Sequence, residues 1–116
     1  MPRPYVSFGA AKHSWEKHRF GAPNSNDTTY YPEGFAGDDD CDIFALQNHL
    51  DDVVRTGTPV EDNLRPGWII IGTDRGVTSA VPIRPVRDGG YEAKTGWPVA
   101  GNGVTRYSNG HRWRIG

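Results

Sequence analysis

The sequence predicts an α+β fold in which two N-terminal helices pack on a C-terminal antiparallel β-sheet of four to five strands. Helical periodicity is confined to the first half of the chain, whereas the second half consists of short strand-like runs separated by turn residues. Glycine and proline are abundant, with 15 and 9 residues, which favours a loop-rich domain over a helical bundle. We expect a single domain over residues 1–116, because this length supports one hydrophobic core and not two.

The first predicted helix spans residues 7–20. One face of the pattern carries residues spaced by three and four positions: Phe8, Ala11, Trp15 and His18. Ser7 is a suitable N-cap, and Gly21 is well placed to end the helix. On this pattern His18 points towards whatever the helix packs on, whereas His13 lies off the apolar face.

The second predicted helix spans residues 38–56 and follows a long loop over residues 22–37. Aspartates crowd its first turn, where the helix dipole favours negative charge. They lack the spacing of an EF-hand, so capping explains them better than calcium binding. An apolar stripe runs along the helix: Ile43, Leu46, Leu50, Val53 and Val54. His49 is expected off this stripe, at the surface or at a helix end.

The predicted sheet occupies residues 67–116. Its expected strands are Trp68–Thr73, Val77–Val86, Tyr91–Trp97, Ala100–Gly103, Val104–Tyr107 and His111–Ile115. The apolar run Trp68–Ile71 suits a central strand buried on both faces, and the more polar later strands are expected to have one wet face. Residues 58–66 are expected to form a connector.

Composition excludes several classes of protein. The single cysteine, Cys41, excludes an internal disulfide framework and a cysteine-based zinc site. No apolar run approaches the roughly 20 residues that a membrane helix needs, and the first residues lack the apolar centre of a signal peptide. We therefore expect a soluble monomer without membrane contact, which another protein would have to carry if it is exported.

The charge is unevenly distributed along the chain. Residues 1–26, 27–62 and 63–116 carry net charges of +3, −9 and +5. If the two basic segments fold together they would form one positive face, with the acidic segment turned away. The alternative is that the arginines of the last segment are only the solvated ends of strand residues.

Residues 11–21 concentrate the groups that proton transfer and phosphate binding require. His13 and His18 lie there beside three cations: Lys12, Lys17 and Arg19. Metal-free RNA cleavage needs a group that deprotonates the 2′-hydroxyl, a group that protonates the leaving 5′-oxygen, and cations that hold the phosphate. The predicted strands add further candidates: Lys94, Thr95 and Arg106. The competing interpretation is that the two histidines only decorate the surface of an amphipathic helix.

Other chemistries have weaker support. A spacing of five residues puts His13 and His18 on different helix faces, which is poor geometry for a shared metal ion. No GxSxG, P-loop or GxGxxG motif occurs. We therefore expect neither a metal nor a cofactor.

Two stretches resemble a known group of enzymes. The segments FGAAKHSWEKHRFG and GGYEAKTGWPV are similar to motifs of the barnase–EndoU–colicin–RelE-like ribonuclease toxin domains of bacterial polymorphic and contact-dependent toxins. The resemblance extends over nearly the whole chain, with an acidic helix and a connector between the two motifs. Arg19 stands where a glycine is common in the group, and the run after Pro98 is longer than in a chain that ends at that strand.

This resemblance implies roles for individual residues. His18, and with it His13, would act as general acid or base, and Lys17 would steady the phosphate. Thr95 would contact the scissile phosphate or the 2′-hydroxyl, while Arg106 would stabilise the anion, with Lys94 beside them as a substrate-binding cation. The implied substrate is tRNA or another structured RNA, cleaved in the cytoplasm of a target bacterium after delivery. The implied partner is a cognate immunity or antitoxin protein, acidic where it meets a basic active face.

A different class of function remains open. The alternative is a non-enzymatic interaction protein, such as a phage-encoded inhibitor or a small virion protein, acting in the cytoplasm. A regulatory nucleic-acid binder is a third possibility. The enzyme hypothesis predicts that four side chains converge in one cleft, namely His18, Lys94, Thr95 and Arg106, whereas the interaction hypothesis predicts that they scatter.

Overall fold

The computed structural model describes residues 2–115 of the chain. Its helices are α1 (Phe8–His18) and α2 (Ile43–Thr56), with a 3₁₀ turn over Asp40–Asp42. Its strands are β1 (Thr28–Tyr30), β2 (Thr58–Glu61), β3 (Trp68–Asp74), β4 (Val77–Pro85), β5 (Tyr91–Ala93), β6 (Trp97–Gly101), β7 (Thr105–Ser108) and β8 (His111–Arg114). Two helices and antiparallel strands confirm the α+β class.

The strands form two sheets instead of the single sheet that the sequence predicted. The five-stranded sheet has the order β2-β3-β4-β5, and β6 also pairs with β4. Both β5 and β6 fit on one edge of β4, because β5 pairs with residues 83–85 and β6 with residues 77–80. The second sheet has the order β1-β7-β8. Its first strand comes from the segment predicted as a loop between the helices, and the predicted connector 58–66 contains β2.

Both helices are shorter than predicted. Ser7 caps α1 as expected, since its Oγ accepts a hydrogen bond from the backbone N–H of Ala10 at 3.1 Å. The helix ends at His18, because Arg19 already has extended backbone with φ −61° and ψ 154°. The predicted start of the second helix is instead the 3₁₀ turn, where the backbone N–H of Asp39 donates to Oδ2 of Asp42 at 3.1 Å.

Helix α2 lies across β3 and β4 and forms the centre of the core. The predicted apolar stripe is confirmed, since each member is at most 2% exposed: Ile43, Leu46, Leu50, Val53 and Val54. These side chains belong to one cluster with Ile70, Val81 and Ile83 of the sheet. Complete burial of one such side chain contributes about 1.5–3 kcal/mol. Helix α1 packs mainly against α2 and also touches β1 and β6.

Gly57 ends α2 and allows the helix to approach β3 closely. Its N–H donates to the carbonyl oxygen of Val53 at 2.8 Å. A Cβ atom at this position would lie 2.5 Å from that oxygen and 2.8 Å from Cγ2 of Ile70. A larger residue would therefore push the helix away from the sheet.

The prediction that β3 is buried on both faces is wrong. Ile70 is completely buried beneath α2, whereas Ile71 is 37% exposed. The helices cover one face of the sheet, so the alternate side chains of β3 remain partly open to solvent. The predicted strand 91–97 is also interrupted, because β5 ends at Ala93 and β6 begins at Trp97. Lys94 and Thr95 consequently lie in a connection between strands.

Candidate functional site

The last residue of α1, His18, is fixed by the strand that follows the helix. Its imidazole Nδ1 lies 2.7 Å from the carbonyl oxygen of Thr29 in β1. Its own carbonyl oxygen accepts a hydrogen bond from the backbone N–H of Tyr31 at 2.8 Å. The backbone and the side chain of His18 therefore both hold the end of α1 against β1.

The contact with Thr29 defines the protonation of the neutral imidazole. A carbonyl oxygen only accepts hydrogen bonds, so Nδ1 must carry the proton. The lone pair of the neutral ring is then on Nε2, and no residue in the range 2–115 makes a hydrogen bond to that atom. This arrangement leaves Nε2 of His18 able to accept a proton from a bound molecule.

Burial lowers the pKa of His18 below its usual value near 6.5, because the charged imidazolium loses hydration. The hydrogen bond to Thr29 acts in the opposite direction and raises the pKa, while the positive charges of Lys17 and His13 lower it further. The net effect favours the neutral form at neutral pH. A neutral imidazole with an available Nε2 is the form required of a general base.

A cleft of about 280 Å³ lies beside this imidazole. It is lined by His18, Asp27, Thr28, Thr29, Trp97, Val99, Arg106 and Ile115. Arg106 reaches the cleft from β7, where it lies directly opposite Thr29 of β1. The long-range pairing of β1 with β7 therefore places a guanidinium and an imidazole at the same cleft.

The guanidinium of Arg106 has only a weak internal partner. Its Nη2 lies 3.5 Å from Oδ1 of Asp27, and the two side chains are 39% and 64% exposed. Ion pairs between exposed side chains contribute about 0–1 kcal/mol, so an entering phosphate could compete with Asp27 at little cost. Asp27 was not among the predicted site residues, because it lies in an aperiodic segment that gave no signal.

A second cleft, of about 290 Å³, adjoins the first at His18. Lys17 and His18 line it from α1, together with Glu16, Pro23, Ser25 and Thr28. His18 and Thr28 therefore line both clefts, with Arg106 at one and Lys17 at the other. Each cleft thus holds one cation and one carboxylate, Asp27 in the first and Glu16 in the second, and the cations are available to contact an anionic ligand.

The remaining predicted site residues lie elsewhere. Lys94 and Thr95 line a separate cleft of about 700 Å³, and Trp97 lines both this cleft and the one beside His18. Lys94 forms an ion pair with Glu92. The hydroxyl oxygen of Thr95 is buried and has no hydrogen-bond partner among residues 2–115. His13 is exposed on α1 and lines neither cleft at His18. The structure thus places Arg106 in one cleft at His18 and Lys17 in the other. The expected convergence of four side chains in one cleft does not occur, since the cleft shared by His18 and Arg106 lacks both Lys94 and Thr95.

The segment that carries Lys94 and Thr95 is nevertheless anchored to α1. The hydroxyl of Ser14 donates a hydrogen bond of 2.6 Å to the carbonyl oxygen of Gly96. Gly96 also packs closely on α2, since a Cβ atom there would lie 2.6 Å from Cδ2 of Leu50. This segment therefore packs against both helices, although its side chains line a different cleft.

His49 is buried in the core, and the prediction of a surface position is wrong. Its Nδ1 lies 3.0 Å from Oδ2 of Asp74, and its Nε2 lies 2.8 Å from Oγ of Ser79. Both His49 and Ser79 are completely buried, and neither lines any of the clefts beside His18, Thr95 or Trp113. The residue spacing contained a signal, because positions 46, 49, 50 and 53 follow the helical pattern of one face.

The basic first and last segments fold together. Nη1 of Arg112 in β8 donates to the carbonyl oxygen of Phe20 at 3.0 Å, which joins the last hairpin to the end of α1. Among residues 2–115, no three His, Cys, Asp or Glu side chains are close enough to hold a metal ion. Within the same range, neither helix has the length and apolar character to cross a bilayer.

Comparisons of the chain with known proteins give no relative from which a function could be transferred. No protein-family model, no curated protein and no solved structure matches it.

Proposed function

We propose that this chain is a metal-independent endoribonuclease toxin domain of the barnase–EndoU–colicin–RelE-like kind. The observation that carries the proposal is the position of His18. Its Nδ1 is 2.7 Å from a backbone carbonyl oxygen, its Nε2 has no partner among the described residues, and it shares a cleft with Arg106. This is a positioned base that shares a cleft with a cation, which are two of the three groups that RNA transesterification requires.

The proposed reaction begins with proton transfer from the ribose 2′-hydroxyl to Nε2 of His18. The 2′-oxygen then attacks phosphorus, and the bond between phosphorus and the 5′-oxygen breaks. Arg106 and Lys17 stabilise the extra negative charge of the pentacovalent phosphate. His18 is the one histidine among residues 2–115 that lines the two clefts, so we assign water as the acid. The 5′-oxygen takes a proton from water, and the hydroxide that is left takes the proton from Nε2 of His18. The products are a 2′,3′-cyclic phosphate and a free 5′-hydroxyl.

The proposal extends to the biological setting. The substrate is tRNA or another structured RNA in the cytoplasm of a target bacterium, to which the domain is delivered. The partner is a cognate immunity protein with an acidic surface, for which the exposed Lys17 and the half-exposed Arg106 provide electrostatic complementarity. The support for this setting is the sequence resemblance together with the cations at the His18 cleft.

RNA cleavage by the purified chain in EDTA tests the proposal. The parent is expected to cleave, and His18→Ala is expected to lose about 10²–10⁴-fold in rate, the usual contribution of a general base. His13→Ala is the matched control, because it removes an exposed histidine from the same helix, and it should remain within threefold of the parent. Loss of cleavage in His13→Ala, with cleavage retained in His18→Ala, would contradict the assignment of His18 as the base.

One observation favours the alternative of a non-enzymatic interaction protein. The cleft of about 700 Å³ that contains Thr95 is flanked by Leu64, an apolar side chain that is 91% exposed. Further apolar side chains line the same cleft, namely Pro66, Ile69, Pro82, Pro85 and Trp97, and contiguous apolar surface is typical of protein contact surfaces. A folded chain that cleaves no cellular RNA would favour this alternative.

A further inference from the structure

We infer that Trp97 is the platform on which the RNA stacks a base next to the phosphate that is cleaved. The inference rests on the proposed function, since it assigns a further part of the same substrate to the cleft at His18. Trp97 begins β6, and it lines both the cleft of about 280 Å³ at His18 and the larger cleft of about 700 Å³. No other residue in the range 2–115 lines both of these clefts.

The walls of the cleft at His18 divide into a polar part and an apolar part. The polar part consists of His18, Asp27, Thr28, Thr29 and Arg106, and the apolar part consists of Trp97, Val99 and Ile115. A nucleotide has the same division, because its phosphate is charged while the faces of its base stack on aromatic rings. In the proposed reaction the phosphate contacts Arg106, so the neighbouring base is left to contact the apolar wall, where Trp97 supplies the aromatic ring.

The strand register places the indole of Trp97 outside the core. Trp97 is the register partner of Ala80 in β4, and Ala80 is the register partner of Ile71 in β3. Side chains of directly opposite residues lie on the same face of a sheet. This face carries Ile71, which is 37% exposed, whereas the other face carries the completely buried Ile70 beneath α2. The indole therefore lies on the face that α2 does not cover, as its place in the walls of two clefts requires.

The ring of Trp97 has no partner of the kind that occupies Trp15. The guanidinium of Arg19 lies 4.3 Å from the centroid of the Trp15 ring, and Nε1 of Trp15 is buried. No guanidinium or aromatic ring within residues 2–115 stacks on Trp97, and no described residue accepts a hydrogen bond from its Nε1–H. The half-buried indole of Trp97 is thus available to a base, while Trp15 is a core residue.

The larger cleft on the far side of Trp97 can hold the next phosphate of the strand. Three cations line this cleft against one carboxylate, namely Arg65, Arg84 and Lys94 against Asp62. Oδ2 of Asp62 is already paired with Nη1 of Arg84 at 2.7 Å, whereas the exposed Arg65 has no ion pair with a described carboxylate. A strand that crosses Trp97 therefore meets a cation on either side of the ring. An aromatic ring between cations is the arrangement that binds single-stranded nucleic acid.

Equilibrium binding of two short single-stranded oligomers, measured by fluorescence anisotropy, tests the inference. The first is a 2′-fluoro RNA, which lacks the hydroxyl that cleavage requires. The second has the same length and the same phosphates but no bases. Because both carry the same charge, the ratio of their dissociation constants measures the contribution of the bases. We expect the parent to bind the oligomer with bases about 5- to 150-fold more tightly.

Two substitutions separate the flat ring of Trp97 from the apolar volume that it fills. Trp97→Leu keeps an apolar side chain without a ring, and we expect its preference for bases to fall to within about threefold of none, because the stacking contribution is lost. Trp97→Phe keeps a flat ring and should retain most of the preference. Phe44→Leu is the matched control, since it removes a ring that is 60% exposed on α2, and it should behave as the parent does.

Tryptophan fluorescence gives a second measurement that requires only the conservative variant. Stacking on Trp97 is expected to quench the emission of the parent when the oligomer with bases is added. The same oligomer should leave the emission of folded Trp97→Phe unchanged, although it binds that variant. Equal quenching in the parent and in Trp97→Phe would overturn the inference.

The outcomes separate this inference from the proposed function. A preference for bases that Trp97→Leu loses and Trp97→Phe keeps, in a parent that cleaves no natural RNA, would support the platform and overturn the nuclease. Cleavage by a parent whose preference for bases is unchanged in Trp97→Leu would overturn the platform and leave the nuclease. Equal binding of the two oligomers by the folded parent, or binding of neither, would overturn the platform, including the case in which a protein occupies this wall instead.

Discussion

Burial lowers the pKa of the imidazoles of both His18 and His49. The two histidines differ in the hydrogen-bond partners of their ring nitrogens. Both ring nitrogens of His49 have side-chain partners, Asp74 at 3.0 Å and Ser79 at 2.8 Å. His18 has a hydrogen-bond partner at Nδ1 only, and the residue lines a cleft that contains Arg106.

This difference separates a structural histidine from a reactive one. Ser79, His49 and Asp74 have the order of contacts of a hydrolase triad, but the serine and the histidine are completely buried. A nucleophile needs access to its substrate, and Ser79 has none. The three residues instead satisfy one another's hydrogen bonds, as buried polar groups must, with Ser79 and His49 in the core and Asp74 at its edge. His18 has fewer hydrogen bonds within the protein and lines two clefts, which suits a group that accepts a proton from a ligand.

After the loss of His18 itself, the largest predicted effect is the loss of the positive charge that shares its cleft. Arg106→Ala should reduce the rate of RNA cleavage about 10²–10³-fold, because the charge of the pentacovalent phosphate loses its closest cation in the cleft. Single-turnover cleavage rates of folded variants provide the measurement. Arg87→Ala, which removes an exposed arginine from the β4–β5 turn, is the control. Equal loss in both variants would indicate a general effect of net charge.

A smaller effect is expected on the free energy of unfolding when the hydrogen bond between Ser79 and His49 is removed. Ser79→Ala removes the partner of Nε2 in His49 and leaves a buried polar group without a hydrogen bond, at a cost of about 1–3 kcal/mol. Chemical denaturation of Ser79→Ala and the parent measures this difference. An unchanged free energy of unfolding would show that the hydrogen bond does not support the core.

The smallest effect is the pH dependence of stability. Both histidines have pKa values below 6.5 in the folded chain, so the unfolded chain binds protons more readily. The free energy of unfolding should therefore fall as the pH drops below about 6.5, and the loss should level off once the folded histidines are protonated. Denaturation at pH 5, 6, 7 and 8 measures the trend, and higher stability at pH 5 than at pH 8 would contradict it.

Asp74 adds a separate loss of stability at lower pH. Burial raises the pKa of its carboxyl, but the hydrogen bonds from His49 and Arg75 lower it more, so the net shift is downward from 3.8. Its contribution is present above the unfolded value and is lost as the pH falls through the folded value.

The cleavage rate should respond to pH through His18. Its Nε2 accepts a proton only when the ring is neutral, so the rate is expected to rise with pH and to level off above an inflection that lies below 6.5. A rate that falls from pH 5 to pH 7 would instead require a protonated histidine in the reacting state.

Local signals in the sequence identified the helices and one part of the site. Ser7 caps α1, the stripe of α2 is buried, and a turn at Arg75 and Gly76 joins β3 to β4. Each of these features depends on residues close together in the chain. The direction of His18 was likewise predicted from its place on the face of α1, whereas its role as acid or base was implied by the resemblance.

Long-range pairing accounts for what the sequence did not reveal. Strand β1 has three residues in a turn-rich segment, and its partner β7 is more than 70 residues away. No residue pattern near either strand indicates that they pair. The pairing places the Thr29 carbonyl oxygen beside His18 and Asp27 beside Arg106. Thr95 was misplaced for a related reason, since β5 ends at Ala93 and the following residues line another cleft.

The most direct test of the account compares His18→Ala with Ser79→Ala in one RNA cleavage assay in EDTA, with both variants shown to be folded. The account predicts that His18→Ala loses about 10²–10⁴-fold in rate, while Ser79→Ala cleaves within threefold of the parent. Loss of cleavage in Ser79→Ala with retained activity in His18→Ala would contradict it and would make the buried triad the reactive site.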